Sequence, residues 1–228
     1  MKFTNSLIKG KFIKRYKRFF VDIKLNNKKV TAHCPNTGSM KGLLDVDNDV
    51  WLLKNNNPER KLKYTLEIIN IGGKMVGINT HRTNRIVEHA LNSKLVDEFK
   101  KIKSLKSEFK YDSETRFDFL CDEKIIEVKN VSLLNDNETC SFPDAVTERG
   151  SKHLKKLIES KDKGFCPYVL FLTQIQDIKY FKIAKDIDPK YYENFVLAKN
   201  KGVKFLAYKC KVNSKEIRLD KKIKIIDD

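Results

Sequence analysis

Two short segments of the sequence carry the residue types from which a hydrolytic centre can be built. In IIEVKNV, Glu127 and Lys129 are two positions apart, so in a strand both side chains leave on one face while Ile126 and Val128 leave on the other. A charged pair on one face of an otherwise apolar strand is costly to bury unless it is used. In RFDFL, Asp118 stands between Phe117 and Phe119, and a tight connection through Asp122 and Glu123 sets it beside Glu127. Two carboxylates so placed repel each other, and a hard divalent cation relieves that repulsion. Mg²⁺ accepts one or two carboxylates, keeps several waters and takes a substrate phosphate oxygen. A lysine beside such an ion can orient the attacking water and stabilise charge building on the phosphoryl group. The plainer alternative is a surface hairpin whose Asp, Glu and Lys form solvated pairs.

Other residues have chemistry to offer. Arg149, Lys152, His153 and Lys156 recur at helical spacings and form a basic stripe opposite Leu154 and Leu157, either a phosphate-facing row or a solubilising face. Asp144, just before that helix, is an acidic candidate or an N-terminal turn residue. His33 and Cys34 are adjacent, so in a strand they point to opposite faces, which argues against a thiol nucleophile. The residues that follow, Pro35, Asn36, Thr37, Gly38 and Ser39, read as a tight loop whose amides and hydroxyls meet phosphate or sugar. Tyr16 and Phe19 lie among Arg15, Lys17 and Arg18, the interleaving of aromatics and cations that single-strand binders use. Phe19 alternates inward with Val21 and reads as barrel core, whereas Tyr16 is open to either role.

These groups must be held by elements. Residues 1–82 read as all-β, with strands over 19–25, 29–33, 50–53, 64–69 and 75–79 and turn signals at Asn26-Asn27 and Gly72-Gly73. Five short strands of this kind suggest a small barrel of the oligonucleotide-binding (OB) type. From residue 83 to 228 the pattern becomes helix (84–92, with a weaker one over 95–102), three strands (108–111, 116–120, 124–131), a helix from Thr147, a fully apolar strand over 168–174, a helix opened by Asp188-Pro189 and closed by Gly202, and a strand over 203–212. That order predicts an α/β domain with a mixed sheet.

The chain is 228 residues long with a formal charge of +17. Its first 80 residues hold 16 Lys and Arg against 6 Asp and Glu, so +10 of the charge sits in about a third of the length. Uneven charge of this kind points to a polyanionic partner rather than to a compositional bias of the genome alone. No apolar run approaches the ~20 residues of a membrane span, and the basic N-terminus lacks the apolar core of a signal peptide. A cytoplasmic protein with no membrane partner is the expectation. The 5 Cys are scattered without a CxxC pair and the 4 His without HExxH spacing, which argues against disulfide scaffolds and zinc ribbons.

The Asp118-x8-Glu127-x-Lys129 element resembles the PD-(D/E)xK nuclease superfamily, with Phe117 in the place of its proline. Longer stretches are similar to the sugar fermentation stimulation protein A family: RYKRFFVDI (15–23), VTAHCPNTGSMKGL (30–43), VGINT (76–80), RFDFL, EVKNV and FPDAVTERGSKHLKKL (142–157). The resemblance implies an OB-fold-like β-barrel followed by a restriction-endonuclease-like mixed-sheet domain. It implies catalytic Asp118, Glu127 and Lys129, and Mg²⁺ or Mn²⁺ held by Asp118, Glu127 and an acid from the first helix, for which Glu88 is the candidate, the alternative being that Glu88 is a solvated helix residue. The partner it implies is DNA, with RNA as a further substrate, contacted through Arg15, Tyr16, Lys17, Arg18, Asn36, Thr37, Ser39, Arg149, Lys152 and His153. The implied activity is a metal-dependent DNA/RNA nuclease. The alternative is a non-catalytic DNA-binding regulator of sugar (maltose) metabolism genes on a nuclease scaffold. The oligomeric state stays open, a homodimer among the options.

Overall fold

Alternation of apolar and charged residues builds the first unit of the computed structural model, which describes residues 1–40 and 42–226. Lys41, inside the 30–43 segment, and the last two residues of the 83–228 unit lie outside the described residues. Strands β1 (Ile8–Tyr16), β2 (Phe20–Leu25), β3 (Lys28–His33), β4 (Asp49–Lys54) and β5 (Tyr64–Ile71) curl into a barrel that closes where β3 pairs parallel to β5 at His33 and Thr65. A sixth strand, β6 (Lys74–Gly77), extends the sheet beyond β5. The inward residues, Phe12, Val21, Ile23, Ala32, Val50, Leu52 and Leu66, are buried. Asn26 and Asn27 both take positive φ in the β2–β3 turn, as a tight hairpin requires. β1 is absent from the sequence reading, and Phe19 is a correction to it. The turn before β2 places Lys17 and Arg18 at positive φ, so Phe19 belongs to the turn and is 44% exposed instead of core.

The second unit begins with α1 (Thr83–Asn92) and continues through β7 (Lys106–Lys110), β8 (Arg116–Cys121), β9 (Lys124–Val131), β10 (Leu133–Leu134), β11 (Thr139–Phe142), α2 (Glu148–Asp162), β12 (Cys166–Thr173), β13 (Tyr180–Ile183), α3 (Pro189–Asn200), β14 (Lys204–Val212), β15 (Ile217–Lys222) and β16 (Lys224–Ile225). Its main sheet has the order β15-β14-β12-β9-β8-β7, with β14, β12 and β9 parallel. A small sheet, β10-β11-β13-β16, stands beside it. The expected helix over 95–102 is only a single tight turn, Asp97–Phe99.

Each face of the main sheet is covered. Ile86, Val87, Ala90 and Leu91 of α1 pack on Phe119, Ile126, Val128 and Leu170, while Leu154 and Leu157 of α2 and Tyr191 and Phe195 of α3 pack on Phe117, Ile125, Val169 and Phe171. A ten-residue helix is marginal alone. The burial of α1's apolar face, roughly 1.5–3 kcal/mol for a fully buried large aliphatic side chain, is what holds it. Asp188 fixes the starts of two helices at once. One carboxylate oxygen caps Tyr191 N of α3, and the other accepts Thr147 N–H, whose own hydroxyl caps Gly150 N of α2. This ties α2, which carries His153, into a set position over β9.

Candidate active site

The β8–β9 hairpin pairs Cys121 with Lys124, Leu120 with Ile125 and Phe119 with Ile126, and then stops. The next residue on each strand is Asp118 and Glu127. On the other edge of β8, the ladder to β7 passes from Ser107–Phe119 to Phe109–Phe117 and skips Glu108, whose φ is +54. Asp118 therefore belongs to neither ladder. The strand is kinked there, since Phe117 packs on the α2 side of the sheet and Phe119 on the α1 side. Irregularities of this kind re-aim a side chain. Here the Asp118 carboxylate takes the place of a ladder partner: Oδ2 accepts Val128 N–H at 2.6 Å, and Oδ1 accepts Asn84 Nδ2 of α1 at 2.7 Å.

Glu127 and Lys129 share a face, as their spacing requires, and the face is the one under α2. Glu127 Oε1 accepts Lys129 Nζ and His153 Nδ1, each at 2.6 Å. Arg149 Nε donates to His153 Nε2 at 3.5 Å, which assigns the ring proton to Nδ1 and points it at Glu127. Glu127 Oε2 is buried and has no partner. Burial pushes Asp118 up to about 6, helped by the negative charge of Glu127. Burial also works to raise Glu127, but the Lys129 charge and the His153 bond outweigh it and hold that carboxyl below its ordinary value. The two carboxylates thus titrate apart, one poised and one ionised.

The remaining residues are placed as follows. Glu88 accepts from Ser107 Oγ at 2.6 Å, one helical turn past Asn84. Among the described residues no three Asp, Glu, His or Cys side chains form a metal-holding group. His153 faces inward to Glu127 rather than outward, because a buried acid 26 residues earlier supplies its partner. Arg149 and Lys152 stay exposed, and with Arg116 and Lys155 they line a cleft of about 430 Å³ between α2 and the β7–β8 turn, with His153 also on its wall. Lys156 is held by Asp112 and Glu159.

In the barrel, Arg15 is occupied: its guanidinium donates to the carbonyls of Arg18, Asn36, Gly38 and Ser39. It clamps the 35–39 loop instead of facing solvent. Asn36 is buried, its Oδ1 accepting Gly38 N–H. A Cβ at Gly38 would overlap Asp144 Oδ2, which accepts Ser39 N–H at 3.0 Å, so a larger residue there would displace the carboxylate that docks the barrel loop on the second unit. Thr37 and Ser39 are exposed at that docking point. Tyr16 donates to the buried Asp22 at 3.3 Å and stacks on Phe20, while Lys17 and Arg18 are exposed. Cys34 is buried beside Met40 with its thiol pushed up by burial, the setting of an inert sulfur. Asn84 was not foreseen, since a polar residue in a helix's first turn carries no signal of its own.

The pH dependence of the metal-free protein follows from Asp118. Its folded pKa of about 6 lies above the ~3.9 of an unfolded chain. The folded state therefore holds that proton more tightly, and the resulting stability is present in acid and lost as pH rises through 6. Asp118→Asn removes the burden, because the new amide oxygen can keep Val128 N–H while Asn84 flips its own amide to accept from the new NH₂. The variant should melt above wild type at pH 7.5 in EDTA, with the gap closing toward pH 4. A gap independent of pH would contradict the placement of the two carboxylates.

Comparison with known proteins adds the following. A family model described as the sugar fermentation stimulation protein RE domain matches residues 81–216, and one for the SfsA N-terminal OB domain matches residues 13–78. The sugar fermentation stimulation protein homolog of Pelagibacter ubique (strain HTCC1062) is 60% identical over 231 residues, covering 100% of both chains. That of Pseudoalteromonas atlantica is 42% identical over 234 residues, covering 99% of this chain and 100% of its own. The solved structure of Pyrococcus furiosus SfsA in complex with Ca²⁺ has a TM-score of 0.86 at 22% identity, covering 100% of this chain and 98% of that one, a likeness of fold.

Proposed function

The chain belongs to the sugar fermentation stimulation protein family, and from that premise we propose that it is a divalent-metal-dependent phosphodiesterase that cuts DNA or RNA. The observation that carries this reading is the buried, unpartnered Glu127 Oε2 on the strand position opposite Asp118, with the Lys129 ammonium against the same carboxylate. A buried acceptor without a partner is costly and calls for one. Asp118 and Glu127 would hold Mg²⁺ or Mn²⁺ through hard oxygen donors. A set of two carboxylates suits an ion that completes its shell with water and phosphate. The Ca²⁺ complex of the Pyrococcus relative supports a hard cation on this fold. When bound, such an ion lowers the pKa of a water and polarises the scissile phosphate.

The chain's own residues supply the rest. Lys129 places positive charge where the phosphoryl oxygens gather charge. His153 donates to Glu127 Oε1 and so fixes the carboxylate with Oε2 as its unpartnered oxygen, which makes it a positioning residue. Arg149 and Lys152 hold backbone phosphates in the cleft over α2, and Thr37 and Ser39 add hydroxyls from the barrel. Lys17 and Arg18, with the exposed Phe19 for stacking, supply affinity from the barrel turn.

The test is incubation of purified protein with labelled single-stranded DNA, duplex DNA and RNA in Mg²⁺, Mn²⁺ or EDTA. Cleavage of at least one substrate with metal and none in EDTA is expected. Binding without cleavage in every metal would overturn the reading in favour of a regulator on a nuclease scaffold.

A further inference from the structure

The barrel's closing seam faces the turn that leads into α1, and between them lies a cleft of about 290 Å³. Its one acid is Glu67, and that carboxylate is saturated: Arg82 meets both oxygens, at 2.6 and 2.8 Å, and Asn79 Nδ2 reaches both as well. The other charged walls are Arg60 and Arg85, with His33 and His81 beside them. Among the described residues none of these four side chains has an acidic partner. Burial holds His33 below its ordinary pKa, and the positive charges of Arg60 and His81 push the same way.

Uncompensated cations converging on a concave site repel one another in the free protein, and an anion relieves that cost. Two guanidinium groups, with Asn55 and the imidazoles as further donors, match the several oxygens of a phosphate better than a single point charge would. The volume falls at the lower edge of the roughly 300–1,000 Å³ of sites for larger ligands, which suits a phosphate with part of its sugar. The cleft also shares elements with the carboxylate centre. Arg85 follows Asn84, whose amide bonds Asp118, and the cleft wall Pro35 begins the loop whose Ser39 N–H bonds Asp144.

We propose that this cleft is a phosphate-binding subsite that takes an internal backbone phosphate of the strand being cut, on the barrel side of Asp118 and Glu127. It rests on the phosphodiesterase reading for the position of the cut, and its test is one of binding.

Anisotropy titrations in EDTA of the full chain with a labelled single-stranded 12-mer, at several salt concentrations, compare wild type, Arg60→Gln/Arg85→Gln, and Lys94→Gln/Lys221→Gln as a control of equal charge on exposed lysines. Counterion release gives a slope of log K on log salt of about 0.7 per phosphate contact on a single strand. Both arginines meet the same phosphate, so the pair should lose about 0.7 of slope and at least tenfold in affinity near 0.1 M salt, with an unchanged melting curve. The lysine pair should keep the wild-type slope. Equal slopes in both variants would overturn the subsite, even if Mg²⁺-dependent cleavage is observed. The reverse pattern, slope lost in the arginine pair but no cleavage by wild type in any metal, would leave the subsite standing and remove the reaction. A second arm compares the 12-mer with and without a 5′-phosphate. Equal affinities support an internal phosphate, and a requirement for the 5′-phosphate overturns it.

Discussion

Glu127→Gln should abolish metal-dependent cleavage, a loss of about a thousandfold or more, while leaving the folded protein and its affinity for oligonucleotide in EDTA in place. The magnitude follows from what the carboxylate is asked to do. Lewis-acid stabilisation by a bound ion is worth several kcal/mol, and each 1.36 kcal/mol is tenfold in rate. The glutamine amide is isosteric, so Oε1 still accepts from His153 and Lys129. Its NH₂, however, occupies the position of Oε2 and directs two donors at the place where a cation must sit.

The loss should therefore be one of metal binding, readable by calorimetry with Mg²⁺ alone. Removing the Glu127 charge also removes the second cause of Asp118's raised pKa, so the stability gap described for Asp118→Asn should narrow in the Glu127→Gln background. Residual cleavage equal in variant and wild type would point to a contaminating nuclease and sink the assignment. Calorimetric Mg²⁺ binding unchanged by the substitution would mean the ion sits elsewhere.

The parts of this centre that were legible in the sequence are those set by local periodicity. Two-residue spacing put Glu127 and Lys129 on one face, and β9 runs over Lys124–Val131 as the alternation implies. The two-residue turn Asp122-Glu123 fixes the register that sets Asp118 opposite Glu127, because hairpin register follows turn length. Asp188-Pro189 and Gly202 likewise mark the ends of α3. What local pattern could not reveal is the identity of partners far along the chain. Helical spacing grouped His153 with Arg149 and Lys152 as a basic stripe, yet one buried acid on β9 turned it inward. Arg15 sat in a run of cations that reads as a phosphate-binding surface, but the carbonyls of a loop about 20 residues later absorb its donors.

Element recognition failed for related reasons. In β1, IKGKFIKRY, the lysines hide the strand pattern because they face outward, where Lys9 and Lys11 meet Asp49 of β4. The small sheet is made of strands of two to four residues that pair across the chain, β11 with β13 and β13 with β16, so no single segment carries its signature. Phe19 continues the inward alternation of Val21 and Ile23 on paper, but the left-handed pair Lys17–Arg18 ends that alternation at Phe20. The cations left exposed in that stretch are fewer than the run of residues 14–18 suggests, because Arg15 is spent on backbone carbonyls.

The joint between the two units gives the second large effect, on stability rather than rate. Glu67 on β5 is 1% exposed at its side chain, and among the described residues its one charged partner is Arg82, at 13%, in the turn before α1. The guanidinium also lies over the Phe3 ring at 4.8 Å, so it joins barrel, N-terminal segment and helix start. Arg82→Met leaves a buried carboxylate with only the Asn79 amide, and stranding one member of a buried pair costs about 3–5 kcal/mol. For a chain of 228 residues, with ~2–4 °C of melting temperature per kcal/mol, the variant should melt about 10 °C below wild type. A buried ion pair is itself close to break-even against an apolar or neutral replacement of similar volume, so Glu67→Gln/Arg82→Met should recover most of that loss. Denaturant midpoints of the two single variants and the double variant measure the coupling directly, and a loss under 1 kcal/mol for Arg82→Met would mean that water reaches Glu67 and the joint is not sealed. The double variant also isolates Arg82 from the phosphate subsite beside it. Because Arg82 is spent on Glu67, restoring the fold without it should restore oligonucleotide affinity to within about twofold of wild type, with the salt slope intact. A slope lowered by a full contact in a double variant that melts like wild type would make Arg82 a phosphate ligand in its own right, and Glu67 the acid that holds it in place.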